Sequence, residues 1–120
     1  MRAERARAAR YRFNVSAILT DLDSGQQVQG TTWDLSLLGC QVMTENFARV
    51  GARVKVQIIH NGDIFEALGR VANVRPLMGA GIGFTIVEER YHSILDKWLD
   101  DLREKKFSSH ETAQSGRPKN

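Results

Sequence analysis

What this chain has little of excludes a good deal. It holds a single cysteine, so no intrachain disulfide ties it together and nothing asks for an oxidising compartment. No uncharged apolar run approaches the roughly 18 residues that a membrane-spanning helix needs. The opening MRAERARAARYRF lacks the apolar stretch of a secretory signal. The expected location is therefore the cytoplasm, with no membrane contact. His60, His92 and His110 have no cysteine or carboxylate at ligand spacing, so no metal site is expected. Asp21-x-Asp23-Ser24-Gly25 opens like an EF-hand loop. Its glycine comes one position early, however, and Thr32 stands where the closing glutamate belongs, which makes it a turn. Gly79-x-Gly81-x-Gly83 precedes a strand pattern where a dinucleotide fingerprint needs a helix. Cys40 has no neighbouring base, and Ser36 has neither a nucleophile elbow nor a histidine motif to serve it. No enzyme and no cofactor are expected, and there are no internal repeats.

What is present suits one globular domain. The 120 residues are 42% hydrophobic and 26% charged, enough for one packed core and too short for two. The charge is unevenly placed. Residues 1–12 carry Arg2, Arg5, Arg7, Arg10 and Arg12 against Glu4 alone, a net of +4; the formal total of +3 leaves residues 13–120 at −1. Residues 1–12 thus read as a flexible basic arm of the kind that seeks phosphates, nucleic acid or an acidic surface.

The periodicity beyond the arm is that of strands. Tyr11, Phe13, Val15, Ala17 and Leu19 alternate with Arg12, Asn14, Ser16, Ile18 and Thr20, and the turn Asp21 to Gly25 follows. Residues 26–35 have strand composition but untidy alternation. A short strand from Cys40 to Thr44 comes next, then a clean amphipathic one through Val54, Val56 and Ile58. Asn61-Gly62 marks a tight hairpin. The return strand, about Ile64 to Arg75, changes its apolar face around Gly69, which predicts a bulge there. Gly81 to Ile86 is the last strand, with Ile82, Phe84 and Ile86 expected inward. Tyr91, Ile94, Leu95, Trp98, Leu99 and Leu102 then lie on one helical stripe. From Phe107 the sequence is polar and aperiodic, and 107–120 reads as a disordered tail. The expected fold is all-β with a C-terminal helix: a small six-stranded antiparallel β-barrel over residues 13–106, with a β-sandwich as the competing architecture.

One cluster is out of keeping with its apolar surroundings: Asp34-x-Ser36-x-x-Gly39, set among Trp33, Leu35, Leu37 and Leu38. On spacing alone, Asp34 and Ser36 bond local backbone and Gly39 takes a positive φ in a turn. Together with the preceding arginines, RYRF, VGARVKVQI, GIGF and the C-terminal helix, the segment resembles the PilZ family. The hallmark of that family is RxxxR followed by [D/N]xSxxG, and the resemblance spans about residues 4–102. It implies a six-stranded barrel that binds the bacterial second messenger cyclic di-GMP. The hexad DLSLLG is intact, but the arm arginines lie two, three or five positions apart and never four.

The resemblance assigns Arg10, with Arg5 or Arg7, to the phosphates and guanines, since a guanidinium forks onto either and stacks on purines. It assigns Asp34 to guanine N–H groups, Ser36 to a hydroxyl contact and Gly39 to close backbone approach. The implied function is a cyclic di-GMP sensor in bacterial signalling, its arm closing over the hexad and presenting a surface to a downstream protein partner. The alternative is a ligand-independent PilZ-like adaptor. Nucleic-acid binding ranks last, because the domain behind the arm is slightly acidic and offers no basic groove.

Overall fold

The computed structural model describes residues 8–45 and 49–115, with side chains to Lys105. Its elements are β1 (Tyr11–Arg12), β2 (Ser16–Asp21), β3 (Gln27–Leu35), β4 (Gly39–Met43), β5 (Arg53–His60), β6 (Asp63–Arg75), β7 (Gly79–Ile86) and helix α1 (Glu89–Ser115). The strands run in the order β1-β3-β2-β5-β6-β7-β4, and a further β3–β4 pairing closes β2 to β7 into an antiparallel barrel of six strands. β1 is an extra two-residue strand on β3.

The turns follow their residues. Asp21 Oδ1 accepts the N–H groups of Asp23 and Ser24 at 2.8 and 3.0 Å. Those backbone donors, Ser24 first, hold its carboxyl below the usual range. Asn61 and Gly62 both take positive φ, 52° and 82°, as the tightest hairpin turn requires.

The interior is lined by the alternate residues of each strand: Ala17, Leu19, Val54, Val56, Ile58, Phe65, Ala67, Val71, Ala80 and Ile82. Helix α1 covers this core with the stripe its period marked. Leu95, Trp98 and Leu99 are buried, while Tyr91, Ile94 and Leu102 pack at the margin. Trp98 lies 5.5 Å from Phe13 and 6.3 Å from Phe65, centroid to centroid. Burying each such large side chain stabilises the fold by about 2 kcal/mol.

Several sequence expectations are corrected. The first strand is broken: β1 and β2 both pair with β3 but differ in register by one residue, and Phe13–Val15 form the break. Thr32, fully buried, holds it. Its hydroxyl donates to the Phe13 carbonyl and accepts from Val15 N at 3.0 Å, while Asn14 Nδ2 donates to the Thr32 carbonyl at 2.9 Å. A bulge between Thr32 and Asp34 explains the untidy second strand, because it lets Thr32 and Leu35 both face inward.

In β6 the register shifts at Gly69 as expected, but the buried set does not change face. Phe65, Ala67 and Val71 stay inside, and Ala72 and Val74 are exposed. Ile86, expected inward, is exposed because β7 has by then run past the core. Tyr11 and Arg12, assigned to the arm, are in the sheet. The helix passes the boundary at 106 and reaches Ser115. Neither glycine nor proline occurs from Glu89 to Ser115, and both follow at Gly116 and Pro118.

Candidate functional site

The site forms where β1 lies on the end of β3. Register pairs Arg12 with Asp34 and Tyr11 with Leu35. Leu35 faces the core, so its neighbour Asp34 faces outward. Arg10 forks onto it: Nε donates to Oδ2 at 3.1 Å and Nη2 to Oδ1 at 2.9 Å. Half of the Arg10 side chain is exposed, against 20% of Asp34. Asp34 Oδ1 also accepts Gln41 N at 3.1 Å, so the carboxylate helps join β3 to β4 across the bulge. Next to it the Arg12 guanidinium carbon lies 4.2 Å from the centroid of Trp33, a cation–π contact.

Ser36 is buried and faces its own turn. Its hydroxyl accepts Leu38 N at 3.1 Å and Gly39 N at 3.2 Å, and lies 3.3 Å from the Gly39 carbonyl as donor. It therefore shapes the loop that carries Leu37 and Leu38 and does not present an oxygen to solvent. Gly39 does not have the positive φ expected of it. It is needed for a different reason: a Cβ there would overlap the carbonyl oxygen of Ile82, because β4 and β7 approach closely at the pair Gly39 and Gly83. Cys40 lies behind the site, and burial, helped by the Asp34 charge, pushes its thiol up to about 12.

Of the residues the sequence nominates, the structure brings together Arg10, Asp34, Ser36 and Gly39. Arg5 and Arg7 lie outside the described residues. Sequence reasoning missed Trp33 as the seat of Arg12, since register alone places the two side by side. It also missed Gln41, whose buried Nε2 donates to the Met78 carbonyl at 2.9 Å. A third missed contact ties β1 to the helix: the Tyr11 hydroxyl, more than Asp100, raises the Arg103 guanidinium above its ordinary value. Among the described residues no group of three or more histidines, cysteines or carboxylates could hold a metal ion. No helix among them is long and apolar enough to cross a membrane.

Comparisons with known proteins bear on the fold and the family. No curated protein matches the chain. The PilZ domain of CeSA from a cellulose-synthesizing bacterium superposes with a TM-score of 0.64 at 18% identity, over 80% of this chain and 99% of that one. The PilZ domain of Escherichia coli YcgR, solved with c-di-GMP, gives 0.66 at 12% identity, over 88% and 96%. The Bacillus subtilis inhibitor of motility MotI/DgrA gives 0.64 at 10% identity, over 85% of this chain and 51% of that one. At such identities the likeness is one of fold. A family model, the PilZ domain, matches residues 4–101. With that match over most of its length and the barrel to go with it, the chain belongs to the PilZ domain family.

Proposed function

We propose that this PilZ domain is a sensor for cyclic di-GMP, which it binds on the outer face of the barrel around Asp34. The observation that carries the reading is the fork of Arg10 on Asp34 at the rim where Arg12 stacks on Trp33. The Arg12–Asp34 register pair and the neighbouring Arg10 thus bring two guanidinium groups close to an outward carboxylate. The fold likeness to a PilZ domain solved with c-di-GMP supports it.

The chemistry follows from the ligand's two phosphates and two guanines. Asp34 is an acceptor for guanine N1–H and N2–H₂, and the arriving base replaces Arg10 as its partner. Arg10, released, forks onto a phosphate or onto guanine O6 and N7, while Arg12 offers a planar cation for stacking. Arg5 and Arg7 complete the phosphate contacts as the arm closes over the hexad. Ser36 and Gly39 act on the scaffold: the Ser36 hydroxyl holds the turn, and Gly39 lets β4 lie close against β7.

The test is calorimetric titration with cyclic di-GMP, with GTP and a short DNA duplex as controls, at one stated salt concentration. Saturable binding of cyclic di-GMP alone is expected. Asp34→Ala weakens it by about 100-fold or more, as loss of a charged acceptor for two donors should. Unchanged affinity in that variant overturns the assignment.

A second reading, the ligand-independent adaptor, is favoured by the arginine spacing, since no two arm arginines lie four positions apart. Silence in the titration from a folded protein selects it.

A further inference from the structure

One amide of the barrel wall is left without a partner. Among the described residues a single buried side-chain polar atom lacks a hydrogen bond, and it is Asn73 Oδ1. Asn73 Nδ2 makes none to a described residue either. An asparagine amide carries two N–H donors and an oxygen with two lone pairs, so all of this capacity stands unused. A buried acceptor without a donor is unfavourable, and its persistence calls for a physical reason.

The local register says where that amide points. Val71 is buried and pairs with Ile82, so strict alternation would turn Asn73 inward as well. Instead the register shifts between Val71 and Asn73, with Ala72 as the extra residue, and Asn73 pairs with Gly81. Ala80 and Ile82 on either side of Gly81 face the core, so Gly81 and Asn73 face outward. The amide lies over the glycine: a Cβ on Gly81 would come within 2.7 Å of Asn73 Nδ2 and 3.0 Å of Oδ1.

The same outer row leads back to the site. Directly paired residues cross the wall from Arg12 of β1 through Asp34 of β3, Gln41 of β4 and Gly81 of β7 to Asn73 of β6. From Asp34 to Asn73 is three strand steps, about 14 Å. Nothing stands up between them. Gln41 is buried, with its amide on the Met78 carbonyl, and Gly81 has no side chain. Gly83, the next outward position of β7, has open space where a Cβ would be. A trough floored by backbone thus runs from a carboxylate to an unused amide.

We propose that Asn73 is a second base-reading residue of the site. With one guanine of cyclic di-GMP on Asp34, the ring of sugars and phosphates lies over Gln41 and Gly81, and the other guanine meets Asn73. This inference rests on the nucleotide reading. The amide turns outward about χ2, a broad torsion, and doing so breaks no hydrogen bond to a described residue. Its Oδ1 then accepts guanine N1–H while Nδ2 donates to O6, two bonds side by side on one edge of the base.

The test compares wild type, Asp34→Ala and Asn73→Ala in the cyclic di-GMP titration. Asn73→Ala is expected to weaken binding by about tenfold, as loss of two neutral hydrogen bonds should, and to leave the urea midpoint unmoved. Gly81→Ala weakens binding too, since its Cβ raises the floor. The fold survives that change because the atom it meets is the end of a side chain that can give way. In a nitrogen–proton correlation spectrum the Asn73 side-chain amide, identified by its loss in Asn73→Ala, shifts as ligand is added. The amide of Asn61, at the β5–β6 turn, stays in place. Wild-type affinity in Asn73→Ala, or an Asn73 amide signal that does not move, overturns this inference alone, provided Asp34→Ala loses binding. A silent wild type removes the nucleotide reading and this one with it.

Discussion

Removing Asp34 separates the two jobs its carboxylate does in the free protein. It takes two N–H bonds from Arg10 and one from Gln41 N. Arg10 is half exposed, so the ion pair contributes no more than about 1 kcal/mol. The Gln41 N–H is part-buried at a bulge, and stranding it costs about 1–2 kcal/mol. Asp34→Ala is therefore expected to destabilise the domain by about 2–3 kcal/mol, and Arg10→Ala by about 0.5–1 kcal/mol. Asp34→Asn keeps the acceptor for Gln41 and falls close to Arg10→Ala. Urea unfolding resolves this: at a slope of about 2 kcal/mol/M the midpoint moves by about 1 M for Asp34→Ala and by less than about 0.5 M for the other two. If Arg10→Ala and Asp34→Ala shift the midpoint equally, the link to Gln41 contributes nothing and the reasoning fails. The size of the effect matters for the ligand test as well. A loss of that order leaves the domain folded, so a lost titration signal reports the site and not the fold.

Gly39→Ala and Gly39→Asn are both expected to lower Tm by on the order of 10 °C, since either Cβ meets the Ile82 carbonyl. Tolerance of Asn would mean that conformation, not contact, selects glycine there. Thr32→Val strands the Phe13 carbonyl and Val15 N–H at once, and should cost about 2–4 kcal/mol in chemical denaturation. A cost below about 1 kcal/mol would show the first-strand break to be held by other contacts. Cys40, buried with its thiol pushed from 9.0 up to about 12, should resist a disulfide reagent at pH 8 until the protein unfolds. The unfolded chain ionises it first, so stability is full below pH 9 and declines between about 9 and 12. Cys40→Ala should remove that part of the alkaline slope; an unchanged slope counts against the burial of the thiol.

The strand composition, the Asn61-Gly62 turn, the helical stripe and the DLSLLG hexad were all legible because each rests on local chemistry or one period. What escaped depends on a neighbour distant in sequence. The break at Phe13–Val15 needs the hydroxyl of Thr32, which no reading of residues 11–20 supplies. The irregular facing of β3 was visible, but its cause is a bulge against β4. Gly39 looked like a turn glycine, yet the constraint comes from Ile82, more than forty residues on. The family resemblance nominated Asp34 and Arg10 as ligand contacts, and the structure pairs them with each other. The inward role of the Ser36 hydroxyl had been the plainer reading of spacing, and the structure places it so.

β1 has one further consequence, in hydrogen exchange. Among the described residues it is held by two residue pairs, the Phe13 N–H bond and side-chain contacts that include Arg10 on Asp34 and Arg12 on Trp33. Taking it away breaks no pairing among the six strands that close the ring. The amides of Tyr11 and Arg12 can therefore open at a free energy well below that of global unfolding, while those of β5 and β6 exchange only when everything melts. The domain has two opening equilibria that share few bonds. An event at the arm can draw on the shallow one repeatedly while the deep one stays untouched.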